Sequence, residues 1–177
     1  LGFGLMTATP QAAQPNLGRA AETGPDVSVL GAPRVSVVAP AHNEEENIDR
    51  LVQEVHDALA PRGITFEFIV VDDGSTDATR ARVQTLMKDR PWLRCVAMTH
   101  TPPGKGNGQS AAFHAGFRAT RGDYVAVLDA DLQNDPAEIP QMLDLLLSQN
   151  ADMVQGDRSH ARKDNAIRKI GSWVGRV

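Results

Sequence analysis

The stretch Phe66-Glu67-Phe68-Ile69-Val70-Val71-Asp72-Asp73-Gly74-Ser75-Thr76-Asp77 decides the fold. Its first half is a short, nearly unbroken apolar run, the pattern of a buried strand. Asp72 ends that run, Gly74 permits a sharp turn, and Ser75 or Thr76 can cap a helix running to about Arg90. A well-made strand-to-helix turn accounts for the glycine, the serine and Asp77. It does not account for Asp72, an acid at the edge of an apolar run. An acceptor there can hydrogen-bond the imide N–H of a nucleobase.

The same alternation continues on both sides. Upstream, residues 35–39 form a short apolar run bounded by Pro40. Residues 44–60 then carry Ile48, Leu51, Val52, Val55 and Leu59 at helical spacing, one stripe of an amphipathic helix. Downstream, strands are predicted at residues 93–98 and 124–128, with a helix over 108–120 between them. Asp135-Pro136-Ala137-Glu138 reads as a capped single turn, and Pro140 as the first residue of a new helix. A last strand over 152–155 and a helix from Asp164 complete the pattern. Strand and helix alternating four times or more predict an α/β fold with a mostly parallel sheet.

Residues 1–33 are rich in Ala, Pro, Gly, Thr and Gln without a sustained period, and are read as a disordered leader. Residues 34–177 are then the foldable part. The whole chain of 177 residues has 18 Lys and Arg against 22 Asp and Glu, a net charge of −4, and is 41% hydrophobic. That apolar content excludes a wholly disordered chain, and the acidic balance argues against a nucleic-acid partner. Cys95, the single cysteine, allows neither an internal disulfide nor a cysteine-based zinc site, which suits a reduced, cytoplasmic setting. No apolar run approaches the roughly 20 residues that cross a bilayer. The first residue is Leu1 and the last segment stops inside a helical pattern, so the chain is expected to be a fragment of a longer protein.

In open α/β sheets ligands bind beyond the carboxyl ends of the strands. The segments there are residues 40–44, 72–77, 99–108, 129–133 and 156–158, and four of the five carry carboxylates. Asp129-Ala130-Asp131 is the sharpest of them. Two acids at the mouth of a buried strand repel unless a cation sits between them, and Mg²⁺ or Mn²⁺ prefers such oxygen ligands, with Gln133 as a further donor. The alternative is a turn with acidic caps. An EF-hand loop starting at Asp129 fails, since it needs Gly and Glu where the chain has Asn134 and Pro140. A phosphatase with an aspartyl nucleophile is disfavoured by Gln133. The loop Gly104-Lys105-Gly106-Asn107-Gly108 matches no phosphate-binding fingerprint; it reads as a substrate-covering loop or an ordinary surface loop. Arg158, Arg162 and Lys163 either hold an anionic substrate or form a solvated basic stretch. Cys95 is a core side chain, and the five histidines read as surface or loop residues.

Four ordered motifs, Val37-Val-Ala-Pro-Ala-His-Asn-Glu44, Val70-Val-Asp-Asp-Gly-Ser-Thr-Asp77, Asn107-Gly-Gln-Ser-Ala-Ala112 and Gly122-Asp-Tyr-Val-Ala-Val-Leu-Asp-Ala-Asp-Leu-Gln133, together resemble family 2 glycosyltransferases. The bacterial polyprenyl-phosphate glycosyltransferases and dolichol-phosphate mannose synthases are the branch most resembled. The resemblance spans Arg34 to roughly Asp164. It implies a GT-A fold that binds a nucleotide-diphospho-sugar and Mg²⁺ or Mn²⁺. Pro40, Ala41, Asn43 and Glu44 would line the nucleotide pocket, with Asp72 on the base and Asp73 beside it. Asp129 and Asp131 would be the catalytic, metal-binding pair, with Gln133 as a further ligand. Arg158 and Arg162 would lie near the phosphates, joined by Lys105; the two arginines are four apart, where the family often spaces them three apart.

The implied reaction moves a sugar from a UDP- or GDP-sugar to a polyprenyl phosphate, undecaprenyl or dolichyl, with inversion. A family 2 transferase with a saccharide hydroxyl acceptor and a nucleotide-binding fragment without turnover are the alternatives. The full-length protein is expected in the cytoplasm at the inner face of the membrane, touching it through segments beyond Val177.

Overall fold

The computed structural model describes residues 3–8, 21–23, 32–99, 101 and 105–156. Among them the chain forms, in order, strands β1 (Gly4–Thr7), β2 (Ala21–Thr23) and β3 (Val35–Ala41), helix α1 (Ile48–Leu59), β4 (Phe66–Asp72), α2 (Thr79–Leu86), β5 (Leu93–Ala97), α3 (Gln109–Ala119), β6 (Tyr124–Val127), α4 (Ile139–Ser148) and β7 (Met153–Gln155). The strands make one sheet in the order β2-β5-β4-β3-β6-β1-β7. Its centre is parallel: β3 pairs with both β4 and β6, and β4 with β5. The antiparallel pairs lie toward the margins, with β1 between β6 and β7 and β2 along β5.

The parallel centre follows from the apolar runs. Strand side chains alternate between faces, so a run that is apolar at every position needs cover on both. Val35, Val37, Ala39, Phe68 and Val70 pack on one face against the α1 stripe Ile48, Leu51, Val52, Val55 and Leu59 and against α4. Val38, Ile69 and Val71 pack on the other against Ala112 and Phe113 of α3. Gly116 lets α3 lie close to the sheet, because a Cβ there would come within 2.4 Å of Val38 Cγ1.

Several expectations change. A leader without structure is corrected by its described residues. β1 runs antiparallel between β6 and β7, and Phe3 and Leu5 are buried in the core. α1 starts at Ile48 rather than Glu44, because Glu44 O accepts from Asn47 N and Ile48 N in a preceding turn. α2 starts at Thr79 and ends at Leu86, followed by a 3-10 turn over Met87–Asp89. Pro140 is the second residue of α4, after a 3-10 turn, Pro136–Glu138, that Asp135 caps through the Ala137 amide at 2.9 Å. The helix expected from Asp164 lies outside the described residues.

The amino end of the sheet is closed by a charge cluster. Glu67 is 1% exposed. It accepts from Ser36 Oγ at 2.7 Å, Arg94 Nη1 at 2.7 Å, and the Arg121 amide, Nε and Nη2 at 2.7, 2.9 and 2.7 Å. Burial alone would raise its pKa. The Ser36, Arg121 and Arg94 hydrogen bonds and the Arg94 charge outweigh burial and hold the carboxyl below its ordinary range.

Candidate functional site

At the carboxyl end of the parallel strands the chain leaves a cleft of about 510 Å³. Its lining comes from four segments. Pro40 and Ala41 end β3, and His42 and Glu44 follow it; Asp73 follows β4; Gly106, Gly108, Gln109 and Ala112 lead into and begin α3; Asp129, Ala130 and Asp131 follow β6. The structure thus brings together Pro40, Ala41, Glu44, Asp73, Asp129 and Asp131 from the sequence reading. Asn43, Asp72, Lys105 and Gln133 are not among the cleft's walls, and Arg158 and Arg162 lie outside the described residues.

The donors to Asp129 include two side-chain amides. Gln109 Nε2 donates to Oδ1 at 2.7 Å and Asn134 Nδ2 to Oδ2 at 3.2 Å. Asp131 is exposed, and its Oδ1 accepts the Gln133 amide at 3.1 Å. Buried Ala130 separates the two acids, and Leu132 beyond them packs on the core while its backbone takes a left-handed φ of 60°. Such a conformation costs of order 1 kcal/mol and persists where surrounding contacts enforce it. Here the Leu132 anchor fixes where the chain turns after Asp131.

The donor set suits a hard divalent cation. Asp129, Asp131 and Gln133 offer only oxygen, and among the described residues no three His, Cys, Asp or Glu side chains form a fuller cage. Mg²⁺ is typically bound by one or two carboxylates together with substrate phosphates and water, which matches two acids facing an open cleft.

Asp73 grips the loop before α3. It is 4% exposed. Its Oδ1 accepts from Asn107 N at 2.8 Å and Asn107 Nδ2 at 3.1 Å, and its Oδ2 from Gly108 N at 2.9 Å. His42 Nδ1 donates to the Asp73 carbonyl at 2.8 Å, which assigns the ring proton to that nitrogen. Asp72 faces inward instead. At 0% exposure its carboxylate takes Arg80 Nε at 2.6 Å and the Ser75 amide at 3.1 Å. The Cys95 thiol is pushed up to about 11 by burial, with the Asp72 charge adding to the rise and Arg80 opposing it. It therefore stays protonated, a core side chain as the sequence suggested.

Asn43 staples two loops. It takes φ 59°, a region Asn tolerates better than most residues, and its Oδ1 accepts from Thr76 N at 2.8 Å and Thr76 Oγ1 at 3.2 Å. Sequence reasoning missed His42, Gln109, Asn107 and Asn134 as contributors. None forms a spacing motif with its partner: His42, Gln109 and Asn107 act through contacts between segments, and Asn134 reaches back five residues within its own loop.

Residues 36–174 match the family model described as Glycosyl transferase family 2. The dodecaprenyl-phosphate galacturonate synthase of Rhizobium johnstonii is 36% identical over 149 residues, 81% of this chain and 43% of that protein. The undecaprenyl-phosphate 4-deoxy-4-formamido-L-arabinose transferase of Pseudomonas paraeruginosa is 38% identical over 143 residues, 81% of this chain and 40% of that protein. The chain thus spans about two fifths of the length of these curated relatives. A crystal structure of S. aureus TarS shares the fold, with a TM-score of 0.55 and 23% identity over 66% of this chain and 33% of that one. Among the described residues no helix is long and apolar enough to cross a membrane.

Proposed function

The chain belongs to glycosyl transferase family 2, and on that premise we propose that it is the nucleotide-sugar-binding part of a metal-dependent, inverting glycosyltransferase with a polyprenyl phosphate acceptor. The parallel sheet with its cleft at the strands' carboxyl ends is the GT-A fold. The observation that carries the reading is the pair Asp129 and Asp131, one residue apart and both lining that cleft, with the Gln109 and Asn134 amides among the donors that orient Asp129. Both relatives named above are transferases or synthases of polyprenyl phosphates by name, which supports the acceptor class.

In this reading Pro40, Ala41 and Glu44 face the nucleotide. Asn43 and Asp72 shape the loops that flank it. Asp129, Asp131 and Gln133 would hold Mg²⁺ or Mn²⁺, and Lys105, Arg158 and Arg162 would supply further positive charge to the phosphates of a UDP- or GDP-sugar. A bound divalent ion would stabilise the negative charge that gathers on the diphosphate as its bond to the anomeric carbon breaks. A phosphate acceptor is already largely ionised at neutral pH, with a second pKa of about 6, so the cleft need not supply a general base. One displacement by such a nucleophile inverts the anomeric centre. The lipid tail of the acceptor places the reaction at the inner face of the cytoplasmic membrane.

Calorimetry with UDP and with GDP, each with Mn²⁺, tests the site. Asp131→Asn is expected to remove the Mn²⁺-dependent part of nucleotide affinity without lowering the melting temperature; undiminished affinity would overturn the metal role. Transfer of label from a UDP- or GDP-sugar to undecaprenyl phosphate, by the protein in detergent, tests the acceptor. Label moving only to a saccharide hydroxyl would overturn it.

A further inference from the structure

We propose that Asp73 and Gln109 are positioning residues for the metal carboxylate Asp129, forming a relay in which Asp73 pins the loop before α3 and Gln109 then sets the orientation of Asp129. This rests on the metal reading above.

The links are contiguous. Asp73 takes three hydrogen bonds from two consecutive residues, at 2.8 and 3.1 Å from Asn107 and 2.9 Å from Gly108. The loop is held at its other end as well, because Asn107 Nδ2 also donates to Thr101 Oγ1 at 3.1 Å. Gly106 closes the grip: a Cβ there would stand 2.3 Å from Asp73 Oδ2, so only glycine lets the chain lie against that carboxylate. The next residue after the pinned pair is Gln109, the first of α3, and its Nε2 donates to Asp129 Oδ1 at 2.7 Å. Residue 108 is glycine at φ 93°, a backbone state that turns the chain from the loop into the helix.

The chemistry of the last link matters. A lysine or arginine at 109 would orient Asp129 but would also cancel the charge a divalent ion needs. An amide at 109 orients the carboxylate without itself adding positive charge. Partners that orient metal ligands in this way typically change metal affinity 10–100-fold when removed.

The test is the Mn²⁺ affinity of the 177-residue chain, read from the free-ion signal in electron paramagnetic resonance, with Mn²⁺ alone and with Mn²⁺ plus UDP. Gln109→Met should weaken Mn²⁺ binding about 10-fold with an unchanged melting temperature. Asp73→Asn, which sets an amide against the Asn107 and Gly108 donors, should weaken it about as much and speed hydrogen exchange at the Gly108 amide. The double variant should bind no worse than the weaker single one, since both cut one chain of contacts. If Asp73→Asn does not fold, Gly106→Ala breaks the same grip. Wild-type affinity in Gln109→Met, while Asp129→Asn loses Mn²⁺, would overturn the relay and leave the metal reading standing. Losses that add in the double variant would also overturn the relay. Wild-type affinity in Asp129→Asn would sink the metal reading itself.

Discussion

The two ends of the parallel sheet both carry acids, and they treat them in opposite ways. At the amino end Glu67 is surrounded by Arg94, Arg121 and Ser36, and is 1% exposed. At the carboxyl end Asp129 and Asp131 face a cleft, and the donors that hold Asp129 include the uncharged amides of Gln109 and Asn134. A neutralised carboxylate can be buried as part of the framework. A carboxylate that lines an open cleft is placed to meet a group that arrives later. Acid content alone therefore says nothing of function; burial against two guanidinium groups at one end and placement at a cleft at the other are what set these acids apart.

That contrast is broken most directly at the cleft. Asp129→Asn keeps the size of the side chain and removes its charge. Sugar transfer should fall about 10³-fold, which is roughly 4 kcal/mol of transition-state stabilisation, while the urea midpoint stays within experimental error of the parent. A fall in both together would mean that Asp129 serves the framework as Glu67 does.

The converse change is Glu67→Gln. It leaves Arg94, buried and 9% exposed, facing an amide in place of a carboxylate. Removing one partner of a buried pair costs about 3 kcal/mol or more, so the urea midpoint should drop clearly. Mn²⁺ and nucleotide affinity, measured where the variant is folded, should not change. The pH dependence sharpens the same point. Because the folded-state pKa of Glu67 is held below the ordinary 4.5, the unfolded chain takes up the proton first. This contribution is complete above pH 4.5 and is lost as pH falls through the lower folded value. Urea midpoints between pH 7 and pH 3 should therefore fall less steeply in Glu67→Gln than in the parent.

The legibility of the two ends in sequence differs for the same reason. Strands β3 to β6 announce themselves because a strand buried on both faces must be apolar at nearly every position. Asp129 and Asp131 are visible because their pairing is local, one residue apart at a strand's mouth. The Glu67 cluster joins residues 27 to 54 positions away and more, and its only local trace is an acid inside the run Phe66-Glu67-Phe68. β1 was hidden similarly: Gly4–Thr7 takes its partners from β6 and β7, far along the chain, and its own composition carries little strand signal. Gln109 and Asn107 sit in the motif Asn107-Gly-Gln-Ser-Ala-Ala112, yet their contacts are to Asp129 and Asp73 in other loops. Asp72 is conspicuous in sequence as an acid at the edge of an apolar run, but its partner Arg80 lies eight residues on, in the following helix.

The smallest effects come from a pair of glycines, one at each end. At Gly122 a Cβ would meet Ser36 N at 2.8 Å, Ser36 Oγ at 2.9 Å and Val35 C at 3.0 Å, mostly backbone of a central strand that cannot yield. At Gly106 it would meet the Asp73 carboxylate at 2.3 Å, and there the loop can move away from the sheet. Overpacking of this kind costs typically 1–3 kcal/mol where the neighbours are fixed. Gly122→Ala should therefore lower stability by about 2 kcal/mol and leave Mn²⁺ binding intact. Gly106→Ala should cost under about 1 kcal/mol of stability, because displacement of a surface loop relieves the clash, and should weaken Mn²⁺ binding about 10-fold through Gln109. Parallel melting curves and Mn²⁺ titrations on the two variants decide it: the same methyl group added at opposite ends of one sheet should be felt as lost stability at one and as lost affinity at the other. Equal effects on both measurements in both variants would mean that the ends are mechanically one body and that the division of labour between framework acid and ligand acid does not extend to the loops around them.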